Sequence, residues 1–398
     1  MKNILVLTYW SFREGLIQSY TLPYLFIISK YLKGGKIYLV TLEKNDLEMS
    51  KTESQTANEL LERYNIIHHP LKYRPLSIGG GFKWLFDIVH LKILIRRYHI
   101  DFIHAWCTPA GLIGFVLSKL TSKPLVIDSF EPHAEAMVEN GAWKKGGLSF
   151  KFLFSFEKLQ AKHAWHIIAA NSGMYDYSRR KYGVELNSFS VKPACVDLEM
   201  FKPGRKEEFR TNLGIIGEVT CVYAGKIGGI YLDKELFDFF KRASLFWKGN
   251  FKVLLMTNES DEVVENWAKE ANLDPGIISK RFVPFEKINE YLAAADFGIT
   301  LVKPVPTKLY CTPIKDGEYW ATGLPVVITK DISDDSKIIE QNNTGYVLKS
   351  LNEEEYDKAL VRIDQLIRNT ETSFMIRKIA KNERGFQIAE KVYKKIYG

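Results

Sequence analysis

A lysine, a glutamate and a tyrosine late in the chain are spaced so that a helix would place them on one face. Lys315, Glu318 and Tyr319 stand at positions i, i+3 and i+4, the separations that make side chains neighbours on an α-helix. Thr312 suits the N-cap and Pro313 the first helical position, so we expect the helix to begin there. A cation and a carboxylate beside free backbone N–H groups suit a phosphate next to a hydroxyl-bearing sugar. A capped helix with a surface Lys–Glu ion pair is the alternative interpretation.

The end of this helix also has clear sequence signals. Gly323 can adopt the left-handed conformation that ends many helices, and Pro325 cannot continue one. The apolar run over residues 324–328 then predicts a buried strand. The segment is therefore expected to be a short helix that leads into a strand.

A second candidate phosphate site follows the apolar run Val219–Ala224, which predicts another strand. The run Gly225–Gly229, which reads Gly-Lys-Ile-Gly-Gly, comes directly after it and before a predicted helix over Lys234–Leu245. Glycines have no Cβ, so backbone N–H groups can approach a diphosphate closely, and Lys226 would add a cation to the leaving group. A tight turn without a ligand is the alternative for this segment alone.

The composition predicts two globular domains without a nucleic-acid partner. A chain of 398 residues, 46% of them hydrophobic, can bury two cores of roughly 200 residues each. The net charge of +8 favours an anionic partner or simply solubility, but basic residues are not interleaved with aromatics in a nucleic-acid-binding module. No run of about 18 apolar residues predicts a membrane span, and the first residues suit a strand better than a signal peptide.

The cysteines favour reduced thiols in a cytoplasmic protein. They lie far apart and form no C-x-x-C pair, which argues against both disulfides and zinc. The four are Cys107, Cys195, Cys221 and Cys311.

Strand-like and helical runs alternate along the chain, which predicts parallel sheets covered on both faces. In the first half the predicted strands are Ile4–Thr8, Ile37–Thr41, Phe102–His104, Leu125–Asp128 and Ile167–Ala170, and the predicted helices are Tyr20–Leu32, Gly81–Tyr98, Thr108–Leu120 and Phe152–Ala164. In the second half a further strand is predicted over Phe251–Met256, and helices over Ile288–Ala295 and Phe386–Tyr397.

Ligands of such sheets bind at the carboxyl ends of the strands, where three residues draw notice. Gly15 closes the loop after the first strand, and a turn glycine is the alternative interpretation. His104 lies at a strand end and is interpreted as a core histidine. His133 follows the next strand beside acidic residues and could donate a hydrogen bond to a phosphate or sugar oxygen. An ordinary loop histidine is the alternative, and no neighbour stands at metal-ligand spacing.

The pattern Lys-x-x-Glu-Tyr-x-Ala-x-Gly-x-Pro-Val over residues 315–326 resembles the C-terminal signature of GT-B glycosyltransferases, in particular the retaining family 4, also called group 1. The similarity extends over nearly the whole chain and is firmest over Val219–Val347. It implies an α/β architecture of two Rossmann-like, doubly wound parallel-sheet domains that face a cleft. The implied domains are 1–205, joined by a C-terminal helix at about 384–398, and 206–383. Polar and charged residues continue through Arg210, which predicts the hinge between about 200 and 215.

The resemblance also implies roles for individual residues. Glu318 would hold the ribose hydroxyls of a nucleotide-sugar donor, the start of its helix would face the pyrophosphate, and His133 and Lys226 would act near the reaction centre. The implied donor-binding residues are Gly15, Gly225, Lys226, Tyr231, Phe282, Val283, Tyr310, Pro313, Ile314, Lys315 and Glu318. Two positions depart from the family pattern: Tyr310 replaces a second glutamate, and Tyr231 replaces a second basic residue, for which Lys234 or Lys303 could substitute.

The activity that the resemblance implies is transfer of a sugar to a glycan, lipid-linked or other acceptor, with retention of configuration. The setting would be synthesis of a cell-surface polysaccharide or glycoconjugate. We expect no metal or other cofactor, because the chain has no D-x-D triplet to hold a cation on the diphosphate. A nucleotide-sugar epimerase of the same fold and a non-catalytic partner subunit are the two alternatives.

Basic residues among apolar ones in the first half suggest contact with an anionic membrane surface. The residues are Arg13, Lys92, Arg96, Arg97, Lys144 and Lys145, scattered among Trp84, Phe86, Leu91, Ile93 and Trp143. The alternative is a solvated helix face whose apolar residues point into the core.

Overall fold

The chain divides into two units. The computed structural model describes residues 1–74 and 81–398, with the backbone alone for residues 81–83. The first unit comprises Met1–Lys192 with Gln387–Gly398, and the second comprises Pro193–Phe386. None of the helices in the described part of the chain is long and apolar enough to cross a bilayer.

The division between the units lies earlier than the hinge expected between residues 200 and 215. Val196 donates its N–H to the carbonyl of Arg384, 2.7 Å away. Residue 196 is therefore already part of the second unit. Residues 206–213 form a helix of the second unit instead of a linker. The polar composition that suggested a hinge belongs to the exposed face of that helix.

The first unit is built on a parallel sheet. Its described strands are β1 (Ile4–Leu7), β2 (Ile37–Glu43), β3 (Ile66–Lys72), β4 (Phe102–Trp106), β5 (Leu125–Asp128), β6 (His166–Ala169) and β7 (Phe189–Val191), in the spatial order β3-β2-β1-β4-β5-β6-β7. Its α-helices are α1 (Leu22–Tyr31), α2 (Lys51–Glu62), α3 (Gly81–Arg97), α4 (Cys107–Thr121), α5 (His133–Glu139), α6 (Leu148–His163) and α7 (Gly173–Tyr177). Two π-helical turns, Leu16–Thr21 and Ser178–Tyr182, extend α1 and α7.

The second unit repeats this architecture. Its strands are β8 (Val219–Ala224), β9 (Phe251–Met256), β10 (Ile278–Arg281), β11 (Phe297–Thr300), β12 (Val326–Thr329) and β13 (Gly345–Leu348), in the order β10-β9-β8-β11-β12-β13. Its helices are α8 (Lys206–Leu213), α9 (Lys234–Phe246), α10 (Asp261–Glu270), α11 (Ile288–Ala294), α12 (Ile314–Ala321), α13 (Asp335–Asn342), α14 (Glu353–Arg368) and α15 (Thr372–Arg384). The order of both sheets, with all pairings parallel, is that of a doubly wound fold.

Hydrophobic residues cover both faces of the second sheet. Cys221 and Tyr223 of β8 point into a core with α9, α10 and α14. Val222 and Ala224 alternate with them and point into a core with α11, α12, α13 and α15. Successive strand residues face opposite sides, so burial on both faces produces the near-continuous apolar strands seen in the sequence.

The C-terminal helix α16 (Phe386–Tyr397) is fastened to the first unit by a buried polar cluster. Tyr393 donates a hydrogen bond to Asp128 Oδ2 at 2.7 Å, and Lys192 Nζ lies 3.2 Å from Asp128 Oδ1. Although burial opposes it, the Lys192 ammonium lowers the pKa of Asp128 to about 2. His104 Nδ1 lies 2.6 Å from the hydroxyl of Tyr397. His104 is fully buried in this cluster, which confirms its interpretation as a core histidine.

The four cysteines are free thiols in the structure. Cys107, Cys195 and Cys221 are buried, and Cys311 is half-buried. Burial raises the pKa of the Cys107 thiol to about 12, so the thiol there stays protonated and unreactive.

Candidate functional site

A glycine turn lies at the carboxyl end of β8. Gly225 has a φ of +119°, a conformation that residues with a Cβ rarely adopt. Its N–H donates to the carbonyl of Met256 at 2.8 Å. The Tyr223 hydroxyl donates to the carbonyl of Lys226 at 2.6 Å and closes the turn, while the Lys226 side chain is exposed. The backbone of the turn is therefore held in place, while the ammonium group of Lys226 remains in solvent.

The amine of Lys315 lies directly beneath this turn. Lys315 Nζ is 4.0 Å from the ring centre of Tyr223 and 3.9 Å from that of Tyr231. A methyl group added at Gly225 would stand 3.4 Å from the same nitrogen. Lys315 is 6% exposed, and its Nζ has no hydrogen-bond partner among the described residues. Burial lowers the pKa of Lys315 to about 7, against the opposing pull of Asp316 and Glu318.

Glu318 lies one turn further along α12 and is also buried, with 9% of its surface exposed. Burial raises the pKa of the Glu318 carboxyl to about 7, although the Lys315 amine opposes the shift. No ion pair within 4 Å joins Glu318 to Lys315 among the described residues. The alternative of a surface Lys–Glu pair is therefore wrong, because the helix lies against the sheet.

Tyr319 fixes the position of α12 relative to the turn. Its hydroxyl accepts a hydrogen bond from the Ala224 N–H at 2.9 Å, at the last residue of β8. Its ring lies against Gly298 of β11, where a Cβ would stand only 2.5 Å from Tyr319 Cδ2. Gly298 therefore admits the ring, and the ring holds Lys315 and Glu318 beside the glycine turn.

The start of α12 differs by one residue from the expected one. Pro313, with φ −62° and ψ 125°, occupies the N-cap position, and no side chain caps the helix. The expectation that Thr312 is the N-cap is wrong, because its hydroxyl lies 3.2 Å from that of Ser333 instead. Arg384 Nη2 donates to the Pro313 carbonyl at 3.2 Å and to Asp335 Oδ2. The end of the helix is as expected, since Gly323 has a φ of +81°.

The other predicted donor-binding residues of the second unit lie at the same edge of the sheet. Tyr231 forms a bridge with Val302, and burial raises the pKa of its hydroxyl. Tyr310 is buried at the end of a 3₁₀ turn that precedes α12. Phe282 and Val283 follow β10, with Phe282 78% exposed and Val283 half-buried against the core. An exposed aromatic ring at a strand end is available to a ligand.

The two predicted site residues of the first unit lie on neighbouring loops of their own sheet. Gly15 has a φ of −52° and open space at its Cβ position, so nothing in its conformation requires glycine. His133 begins α5, with its Nδ1 3.5 Å from Glu131 Oε1. The Tyr20 hydroxyl, in the turn after Gly15, lies 3.2 Å from Ser129 Oγ in the loop before His133.

A buried carboxylate that the sequence does not reveal supports the start of α5. Glu157 Oε1 accepts the Ala134 N–H at 2.8 Å, and its Oε2 accepts the Tyr182 hydroxyl at 2.9 Å. Burial raises the pKa of Glu157 to about 7. The residue holds the helix that carries His133, and it was missed because it stands in the amphipathic pattern of α6.

The structure thus brings Gly225, Tyr231, Lys315 and Glu318 together around one turn. Tyr223, whose ring covers the amine of Lys315, was missed because its position in an apolar strand predicts only burial.

No group of three or more His, Cys, Asp or Glu side chains in residues 1–74 and 81–398 is placed to hold a metal ion. The expectation of a metal-free site remains a prediction.

Comparison with known proteins places this site in a glycosyltransferase domain. Residues 219–365 match the family "Glycosyl transferases group 1". The chain is 21% identical, over 365 residues and 89% of each protein, to an Escherichia coli UDP-Gal:α-D-GlcNAc-diphosphoundecaprenol α-1,3-galactosyltransferase.

Solved structures share the fold over the whole chain. Sucrose-phosphate synthase from Thermosynechococcus elongatus superposes with a TM-score of 0.76 at 15% identity, covering 100% of this chain and 98% of that one. Anabaena HepE in complex with UDP-glucose superposes with a TM-score of 0.72 at 16% identity, covering 100% and 99%. The expected GT-B fold is thereby confirmed, and residues 219–365 of this chain form a domain of the glycosyl transferases group 1 family.

Proposed function

We propose that the protein is a retaining, family 4 glycosyltransferase that moves a hexose from a nucleotide-sugar to a lipid-linked or glycan acceptor. The setting would be the cytoplasmic synthesis of a cell-surface polysaccharide or glycoconjugate. The E. coli relative is named for a UDP-sugar donor and a diphosphoundecaprenol-linked acceptor, and HepE binds UDP-glucose. Both support a UDP-sugar as the first donor to test.

The observation that carries this proposal is the convergence of the glycine turn, the Lys315 amine and the start of α12. The β8 turn offers backbone N–H groups around Gly225, and α12 begins with uncapped N–H groups beside them. Lys315 lies between the two, and Glu318 follows on the same helix. Backbone N–H groups and a cation suit a diphosphate, while a carboxylate suits ribose hydroxyls. In the transfer step the same groups would stabilise the charge that develops on the leaving diphosphate.

A thermal-stabilisation screen tests this proposal. UDP-, GDP- and dTDP-sugars are added to the wild-type protein, with UMP and free sugars as controls that lack the diphosphate. A ligand at a hundred times its Kd stabilises the folded state by about 2.7 kcal/mol, or roughly 5–10 °C for a unit of 150–250 residues. We expect one nucleotide-sugar class to exceed its controls. A melting temperature that none of them changes would contradict the proposal.

We propose that the protein, without a metal ion, neutralises the diphosphate charge. Lys226 on the turn and Lys315 beneath it supply two amines at the expected diphosphate position. Activity should therefore survive excess EDTA, with EDTA plus added Mg²⁺ as the control. Loss of turnover in EDTA that Mg²⁺ or Mn²⁺ restores would contradict this part of the proposal.

A surface of the first unit favours attachment to a membrane that holds the acceptor. On α3 the side chains of Leu85, Phe86, Val89 and Ile93 are 59%, 75%, 48% and 59% exposed, whereas Leu91 is buried. The basic side chains of Lys92, Arg96 and Arg97 lie on the same helix and are half-buried or exposed. On α6, Leu148 and Phe152 are 83% and 54% exposed beside Lys151. Exposed apolar groups flanked by cations suit an anionic bilayer.

Co-sedimentation with anionic vesicles tests this attachment. We expect the wild type to bind phosphatidylglycerol vesicles at low salt and to dissociate at high salt. A variant with Phe86→Ser and Ile93→Ser should bind at least tenfold more weakly, because burial of each side chain contributes about 1.5–3 kcal/mol. Phe374→Ser, at an equally exposed position of the second unit, is the control and should bind like the wild type. Equal binding by all three proteins would exclude α3 as the contact.

A further inference from the structure

The Lys315 amine is enclosed without a counter-ion. Its two nearest neighbours are aromatic ring faces, Tyr223 at 4.0 Å and Tyr231 at 3.9 Å. Ring faces attract a cation but carry no formal charge. Nζ is inaccessible and has no hydrogen-bond partner in the described part of the chain. A fully buried amine in this state lacks the anion that a stable ammonium requires.

The exposed glycine turn, which is the expected diphosphate position, borders the enclosed amine. Gly225 is exposed and presents no Cβ, and an added Cβ would lie 3.4 Å from Lys315 Nζ. The nitrogen therefore lies directly behind the exposed backbone of Gly225. A phosphate bound to that turn would come within reach of the amine.

The charged and titratable groups around the amine are few. They are Tyr223 of β8, Lys226 of the turn, Tyr231 with its neighbour Cys311, Asp316 and Glu318 of α12, and Glu259 beside Tyr223. Asp316 turns away, because its Oδ1 accepts a hydrogen bond from Thr300 at 2.6 Å. Burial keeps both tyrosines protonated. Burial raises the pKa of the Glu318 carboxyl to about 7, so this neighbour titrates in the same pH range as the amine.

We propose that Lys315 takes the place of the second basic residue of the family pattern, which in this chain is Tyr231. When the diphosphate of a donor binds, the Lys315 amine takes up one proton from solution and becomes the cation of the site. The proposal rests on the proposed function, because it concerns the same site. In the free protein the amine is partly neutral, since burial lowers its pKa to about 7. A diphosphate supplies the missing anion and restores the ammonium. Tyr231 keeps the amine in place as one wall of the enclosure.

This mechanism fixes the sign of the pH dependence. Above pH 7 the free site holds the neutral amine, so binding must draw a proton from solution, and affinity falls as the pH rises. Glu318 has the opposite effect, because its raised pKa means that it must release a proton to accept hydrogen bonds from ribose. The two effects cancel in part in the wild type, so they have to be separated by substitution.

Isothermal titration calorimetry with UDP-glucose separates them. Its diphosphate is a diester without a titrating proton near neutrality, so any proton comes from the protein. Titrations at pH 8.0 in HEPES and in Tris, which differ in ionisation enthalpy, measure protons taken up. In Glu318→Gln we expect about 0.9 proton per UDP-glucose, and an affinity that falls about eightfold from pH 7.5 to 8.5. In Lys315→Met we expect no uptake, and in the double variant neither uptake nor pH dependence.

The outcomes distinguish this proposal from the proposed function. Two results would overturn the role of Lys315 but leave donor binding intact. One is UDP-glucose binding by Glu318→Gln without proton uptake. The other is a double variant whose affinity depends on pH as strongly as that of Glu318→Gln. Failure of the wild type to bind UDP-glucose, with no stabilisation by any nucleotide-sugar, would overturn both. A melting curve for each variant checks that it is folded. Lys315→Met should melt no lower than the wild type, because it removes a buried amine without a partner.

Discussion

Glu318 provides the sharpest prediction, because removal of its charge should improve folding and weaken donor binding. Burial raises the pKa of its carboxyl from 4.5 to about 7. At about 1.4 kcal/mol per unit this corresponds to about 3 kcal/mol of destabilisation when the group is ionised. Glu318→Gln removes that charge with little change of shape.

The effect has a defined pH window. A carboxyl whose folded pKa is raised stabilises the fold fully below its unfolded pKa of 4.5, and the contribution is lost as the pH rises through about 7. The advantage of Glu318→Gln over the wild type should therefore grow by about 2 kcal/mol between pH 5.5 and pH 8.5. For a unit of 150–250 residues this is a relative gain of roughly 4–8 °C in melting temperature.

Donor affinity should change in the opposite direction. If the Glu318 carboxylate accepts hydrogen bonds from ribose hydroxyls, they contribute about 1.5–3 kcal/mol, so its loss weakens donor binding roughly tenfold to hundredfold. Glu318→Ala should bind no better than Glu318→Gln. The assays are calorimetric titration and melting curves at both pH values.

Glu355→Gln is a matched control, because this buried glutamate of α14 has a structural role. Its Oε1 accepts the Tyr346 hydroxyl at 3.1 Å and the Lys349 N–H at 3.0 Å. The substitution should lower stability and leave donor affinity unchanged. The reasoning is refuted if Glu318→Gln resembles this control, with lower stability and wild-type donor affinity, since Glu318 would then be a structural residue.

Three further predictions concern the turn, the first unit and its buried cluster. Gly225→Ala should weaken donor binding at least tenfold, because it combines backbone strain with crowding of Lys315. Gly229→Ala is the control, because Gly229 has a φ of +67° and no neighbour within 4 Å of an added Cβ. Equal donor affinity in these two variants would contradict the prediction. His133→Ala should lower turnover by about 10²-fold or more while donor affinity, measured by calorimetry, stays constant; unchanged turnover would remove His133 from the site. Asp128→Asn should destabilise the first unit by about 3–5 kcal/mol in urea unfolding, because a buried ammonium loses its carboxylate; a change below about 1 kcal/mol would show that the pair is not needed.

The interior strands were predictable from the sequence and the edge strands were not. Leu125–Asp128, Val219–Ala224 and Phe251–Met256 have the predicted bounds, because strands buried on both faces are continuous apolar runs. The missed strands include all four at the sheet edges: β3, β7, β10 and β13. An edge strand needs fewer apolar residues and tolerates proline, as β3 does with His68, His69 and Pro70.

The candidate site shows a similar division. The spacing of Lys315 and Glu318 predicts that they share a helix face, and they do, but helical periodicity does not say which way that face points. The burial of both residues depends on Tyr319 and Gly298, whose contact joins two separate segments of the chain. The enclosure by Tyr223 likewise depends on tertiary packing. Local patterns therefore located the site, and long-range contacts determine its charge state.

A transfer assay tests the central claim most directly. The wild-type protein is incubated with the nucleotide-sugar that stabilises it most and with a diphosphopolyprenol-linked sugar, and the products are separated by liquid chromatography and identified by mass spectrometry. The account predicts an acceptor that carries one additional sugar, release of the nucleoside diphosphate in equal amount, and loss of both with Glu318→Ala. The account would be contradicted if the protein bound the donor but formed only an epimerised nucleotide-sugar. It would also be contradicted if the protein bound the donor and formed no product with any acceptor.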